Sequence, residues 1–249
     1  MSVKTSHWTL TIILLCCFVL LGLSGIVFPI ETALAIPSFA RQTGVECSGC
    51  HTVYPQLTPF GRQFKLNGYT MGDAPIYEKL SASLQGSFTH TNKDQTEDAA
   101  PDFGENDNFA LDQASLFYGG TVIGKVGAFL QGNYDGVGKI WTWDHMDVRF
   151  ANDANVRGGQ LVYGVSLNNS PGVQDLWNTT PAWSFPFDGS GLAPTPAAST
   201  LIEGGLGEIA VGGSAYGMWN NQIYGEVGLY HMIPRSAIDS LTGSSDGVP

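Results

Sequence analysis

Cys47-Ser48-Gly49-Cys50-His51 is the stretch whose residue types and spacing point to chemistry. Two thiols separated by two residues and followed at once by an imidazole form the pattern that attaches a c-type haem. The thiols add to the haem vinyl groups and the imidazole reaches the iron as proximal ligand. A C-x-x-C pair also serves redox dithiols and half-sites for zinc. Zinc would need two further nitrogen or sulfur ligands, yet no cysteine follows Cys50, and His90, His145 and His231 stand singly. A thioredoxin-like dithiol would sit in a βαβ pattern, which the glycine-rich sequence after the motif does not offer. The reading is one covalent haem c on Cys47 and Cys50, with His51 on the iron.

The sixth iron position is open. Met71 is the nearest methionine after the motif, and thioether ligation would raise the reduction potential; the competing reading is a turn or core methionine. His90 and His145 are the other candidates, since a histidine on the polar face of a strand could reach inward. Arg41, Arg62 and Lys65 are candidates for pairing with the haem propionates, set against ordinary surface roles.

The haem motif needs elements to place it, and the composition says which. Of 249 residues only 13% are charged and 43% are hydrophobic, with 32 glycines and 11% aromatics. That profile suits alternating strands and glycine-rich turns better than a helical globule. The net charge of −11 argues against a nucleic-acid partner and leaves cations or a basic redox partner.

The apolar run Ile12 to Leu23, preceded by Lys4 and followed by Ala33-Leu34-Ala35, has the three regions of a secretory signal peptide. It is short for a membrane span of about 20 residues. Residues 1–35 are therefore expected to be removed on export, with an uncleaved anchor as the alternative, leaving Cys47 and Cys50 as the remaining thiols.

Residues 36–75 form the expected haem-binding segment. Thr58-Pro59 and Phe60-Gly61 mark a turn, and Gly61 to Leu66 reads as a short helix ended by Asn67-Gly68. A segment of about 40 residues buries little core by itself, so it should lean on the residues C-terminal to it.

Residues 76–249 alternate. Leu80, Ala82, Leu84, Gly86 and Phe88 fall on one side and Ser81, Ser83, Gln85, Ser87 and Thr89 on the other. Further period-two runs hold Ala114, Leu116 and Tyr118; Val126, Ala128, Leu130 and Tyr134; Ile140, Met146, Val148 and Phe150; Leu161, Tyr163, Val165 and Leu167; Ile209, Val211 and Ala215; and Ile223, Val227 and Leu229. Turns are expected at Gly124-Lys125 and Asn220-Asn221. Seven strands result. A soluble sandwich and a transmembrane barrel both fit such alternation; strand length, and short turns alternating with long loops, favour the barrel. The loop from Thr91 to Asn108 is acidic, either solvated or attracting a cation. The loop from Asn169 to Glu203 holds Trp177, Trp183, Phe185 and Phe187 and is expected to pack. Seven is an odd count, whereas bacterial single-chain barrels are even, so an incomplete barrel or an unclosed architecture is expected.

The residues also carry a resemblance. Ile36-Pro37-Ser38-Phe39-Ala40-Arg41-Gln42-Thr43-Gly44, Cys47 to His51, Pro55-Gln56-Leu57-Thr58-Pro59-Phe60-Gly61-Arg62 and Phe64-Lys65-Leu66-Asn67-Gly68-Tyr69 resemble the exported monohaem cytochromes c fused to an outer-membrane β-barrel. This cytochrome–porin group includes members from iron-oxidising bacteria. Asp112 to Leu116, and Tyr163 through Trp183, look like the same family. The resemblance implies a mainly β fold, an antiparallel barrel preceded by a small haem segment seated in or against it. It implies an outer-membrane electron-transfer protein that accepts electrons from Fe(II) or another extracellular donor and passes them to periplasmic partners. The alternatives are a porin-like channel or structural barrel with a haem-bearing plug, and a periplasmic location.

Overall fold

Period-two alternation becomes a single sheet. The computed structural model describes residues 37–182, 190–194 and 200–234, all within one unit, Ala35–Pro249. The expected signal peptide with Cys16 and Cys17, the aromatic residues Trp183, Phe185 and Phe187, and the terminal residues 235–249 lie outside the described residues.

Seven strands run in succession: β1 (Leu80–Thr89), β2 (Asn108–Ile123), β3 (Val126–Asp135), β4 (Ile140–Val156), β5 (Gly159–Asn168), β6 (Ala210–Trp219) and β7 (Ile223–Met232). Each pairs antiparallel with its chain neighbour, so spatial order equals sequence order. All seven expected strands are present. Both expected tight turns are too: Gly124 has φ +53 between β2 and β3, and Asn220 and Asn221 have φ 52 and 55 between β6 and β7. Two successive positive φ values give a turn twist that matches the strands.

The expectation of a barrel is corrected to an open sheet. Among the described residues no ladder joins β1 to β7. The reason is topological: in an antiparallel meander the first and seventh strands run in the same direction. A ladder between them would be parallel and could not continue the antiparallel pattern.

The two faces of the sheet differ. One carries Leu84, Phe109, Val227 and Leu229, which are 77%, 79%, 78% and 84% exposed. The other carries Ser115, Asn133, Asp147, Arg149, Ser166, Asn168 and Ser214, all buried. We call the first the bare face and the second the covered face. Along β4 the expected apolar set needs correction. Leu130 pairs with Met146 but Gly132 pairs with Trp143, so Asp144 and His145 together oppose Gln131. This β-bulge reverses the parity of the strand. Trp141 and Trp143, not Ile140, therefore share the bare face with Met146 and Phe150, and the Trp141 ring lies 5.5 Å from that of Tyr134.

The segment before the sheet supplies the cover. It contains α1 (Pro37–Thr43), the single turn α2 (Cys47–Cys50), α3 (Pro59–Leu66) and a 3-10 turn, Ile76–Lys79, that leads into β1. The helix expected over 61–66 starts two residues earlier, because Thr58 caps it: its Oγ1 accepts from Gly61 N at 3.2 Å, with Pro59 in the first turn where a missing N–H costs nothing. Asn67 ends it. Leu66 is 1% exposed and packs with Val162, Leu176, Tyr216 and Met218. Burying such a leucine contributes about 1.5–3 kcal/mol. Phe39 of α1 meets Phe64 edge-on at 4.9 Å and stacks on Tyr69 at 5.5 Å. As expected, the segment leans on the sheet.

Candidate functional site

The Cys47–His51 stretch folds as one helical turn closed by His51 N donating to Cys47 O at 2.9 Å. It is clamped onto the start of α3. Thr58 N donates to Cys50 O at 2.9 Å, and Thr58 Oγ1 donates to Gly49 O at 2.6 Å. A Cβ on Gly61 would fall 2.2 Å from Cys50 O, so glycine is what lets the turn sit on the helix. Leu57 N donates to Trp177 O at 2.9 Å, and Arg62 lies 5.6 Å from the Trp177 ring centroid. These contacts tie the turn to the loop between β5 and β6.

Cys47 is exposed, Cys50 is half-buried, and neither is in a disulfide. Burial pushes the Cys50 thiol up, with Cys47 beside it adding to the effect. Burial also lowers the His51 pKa, against the pull of the Pro55 and Gln56 backbone, so the ring is neutral at neutral pH. Its Nδ1 is 3.3 Å from Pro55 O. A hydrogen bond there fixes the tautomer that leaves Nε2 with a lone pair for a metal. Two unpaired thiols on one turn and a neutral, oriented imidazole beside them are a donor set that fits covalent haem attachment. Cys47, Cys50 and His51 would hold it.

The other expected site residues occupy separate places. Met71 is half-buried, and its carbonyl accepts from Gln42 Nε2 at 2.9 Å; the hydrogen bonds and ring contacts of His51 do not include it. Arg41 donates to the carbonyls of Glu78 and Leu80 and ties α1 to the start of β1. Arg62 donates to Leu57 O at 3.0 Å. Lys65 donates to Asp175 O at 2.8 Å and Asn178 Oδ1 at 2.7 Å. Each of these three cations is thus held by protein groups. His90 is exposed beside Asp107, 2.7 Å away, and His145 sits in the β4 bulge. In the acidic loop, Asp102 pairs with Lys139, and Asp94 accepts from Asn106.

Sequence reasoning missed the polar cluster beneath the segment. Tyr69 donates to Asp147 Oδ2 at 2.5 Å, Arg149 Nε to the same oxygen at 2.6 Å, and Ser166 to Oδ1 at 2.7 Å. Asp147 and Arg149 are each 1% exposed. The guanidinium lies between the rings of Tyr69 and Tyr216, 5.7 and 5.2 Å from their centroids. Tyr216 donates to Leu66 O at 2.7 Å. Gly127 meets the segment so closely that a Cβ there would be 2.0 Å from Gly68 O. Lys65 borders this cluster. Burial, reinforced by Arg149, drops its pKa to about 7 despite the attraction of Asp147 and Asp175. The alternation of Asp147 and Arg149 with Val148 was the one available signal.

Comparison with protein-family models, with curated proteins and with solved structures found no match to this chain.

Proposed function

We propose that this chain is an exported outer-membrane electron-transfer protein with one covalent haem c on Cys47 and Cys50 and His51 as proximal ligand. The observation that carries the reading is the oriented, neutral His51 next to two unpaired thiols on a turn clamped by Thr58 and Gly61. Haem bound there would supply a one-electron iron couple. The chain's own residues hold His51, through Pro55 O, and hold the turn against α3 and the loop bearing Trp177. Met71 and His90 remain the candidates for the sixth iron position. The electron donor is Fe(II) or another extracellular reductant, and periplasmic redox proteins are the acceptors.

The membrane part of the reading rests on the bare face, whose leucines, valines and phenylalanines would stand in water at large cost and are at home against lipid tails. An open edge cannot stand in hydrocarbon, because its N–H and C=O groups would go unsatisfied. The reading therefore requires that β1 and β7 both find strand partners in the inserted state.

The test uses the full chain, exported and purified in detergent. A pyridine haemochrome assay should count one haem per chain and none in Cys47→Ser/Cys50→Ser. His51→Gly should lose the low-spin Soret band, and anaerobic Fe(II) should reduce the wild-type haem. A chain without covalent haem overturns the assignment. A haem that Fe(II) leaves oxidised, in a protein that conducts ions across bilayers, favours the channel with a haem-bearing plug.

A further inference from the structure

The β4 bulge has an outcome unrelated to haem. Asp144 and His145, adjacent in sequence, both oppose Gln131. Glu208, just before β6, comes to meet them, and the potential ligand atoms of all three lie within 4.8 Å of one another. Small side-chain rotations would bring such atoms onto one ion at about 2.0–2.2 Å. The Asp144 and His145 side chains are 19% and 27% exposed, while Glu208 is exposed, which leaves one open side for water or an arriving ion.

The group is held from several directions. Asn133 Nδ2 donates to Asp144 Oδ2 at 2.6 Å, and His145 Nδ1 is 3.1 Å from Asp144 Oδ1. Asn169 braces both ends of the bulge: its Oδ1 accepts from Met146 N at 2.7 Å and its Nδ2 donates to Asp144 O at 2.6 Å. Glu208 N donates to Asn169 O at 2.9 Å, so the third residue is pinned to the same brace. Oriented first ligands with hydrogen-bonded supports are the usual build of a metal centre.

The donor set selects among metals. Oxygen alone suits calcium or magnesium, whereas one imidazole with two carboxylates suits a borderline divalent ion. Three ligand groups converge here, whereas the carboxylates of the 91–108 loop are engaged in pairs, Asp107 with His90 and Asp102 with Lys139.

We propose that Asp144, His145 and Glu208 form a binding site for one divalent transition-metal ion, of the class Mn(II), Fe(II), Co(II) or Zn(II). The site stands on its own geometry and does not depend on haem at Cys47. Co(II) alone is the probe, titrated by calorimetry into untagged, chelator-stripped full chain folded in detergent, with the heat-modifiable gel band as the check of folding. The wild type should bind one Co(II) per chain. His145→Ala and Glu208→Gln should each weaken binding at least tenfold, a loss in the range expected when a metal centre is disturbed (about 10–100-fold). Asp102→Asn, in the acidic loop, should leave it unchanged. Glu208 lies in an exposed position, so its variant keeps the test valid if His145→Ala does not fold. No binding by the wild type at millimolar Co(II), or an affinity unchanged in the folded variants, overturns the proposal.

Discussion

On β7, Tyr224, Glu226 and Tyr230 alternate with Ile223, Val227 and Leu229, and the two sets meet different surroundings. On the covered face Glu226 accepts from Tyr224 and Ser214, and Gln174 donates to Tyr230 at 3.3 Å. On the bare face Val227 and Leu229 meet no such partners and stand more than three-quarters exposed. The same contrast runs through β4, where Asp147 and Arg149 are sealed while Phe150 and Trp143 are not. The covered face is specific at its centre, where Asp147 accepts from Tyr69 of the segment and from Arg149 and Ser166 of the sheet. The bare face has no such specificity: its large apolar side chains stand exposed.

The largest expected effect comes from breaking the covered face. Asp147→Ala leaves Arg149 buried without its carboxylate and removes the acceptor for Tyr69. Losing one partner of a buried pair costs about 3–5 kcal/mol. Urea unfolding of the detergent-folded protein should show it, and a loss below about 1 kcal/mol, the value of a surface pair, would mean that this face is wet. Next is the bare face. Val227→Arg should cost about 2–4 kcal/mol for folding into lipid vesicles if the residue lies near the bilayer midplane. If the face is bathed in water instead, the change should stay within about 0.5 kcal/mol.

The last expected effect is a slope with pH. Lys65 has its folded pKa lowered to about 7 by burial, against about 10.4 in an unfolded chain. Between those values the folded state binds fewer protons than the unfolded one, so stability rises with pH across the window. Above about 10 the raised Tyr69 opposes this, because the folded protein then keeps a proton that the unfolded chain releases. Lys65→Met should flatten the rise between pH 7 and 10 in pH-resolved urea titrations, and an unaltered slope would assign it to another group.

Local patterns are readable because they encode local physics. Leu80 through Phe88 alternate as the strand requires, Asn220-Asn221 tolerates the positive φ of its turn, and Thr58-Pro59 carries both a cap and a helix start. The parity reversal in β4 is not readable, because a bulge depends on how Gln131 meets two residues of the next strand. Glu208 is distant in sequence from His145, and nothing in either neighbourhood names the other. Tyr69 reads as an ordinary aromatic after a helix; only the packed fold sets its hydroxyl on Asp147. An odd strand count is compatible with both an incomplete barrel and an unclosed sheet, and only the pairing itself, which leaves β1 and β7 unjoined among the described residues, shows the open form.

The bond from Tyr216 to Leu66 also has a consequence in time. Each hairpin of the sheet closes between neighbours, whereas this bond joins groups 150 positions apart and cannot exist before β6 has been added. Short-range contacts close at little entropic cost and form early. The segment is thus fastened in stages: its bonds to Thr121 and Asp147 need only β2 and β4, whereas the one from Tyr216 needs β6.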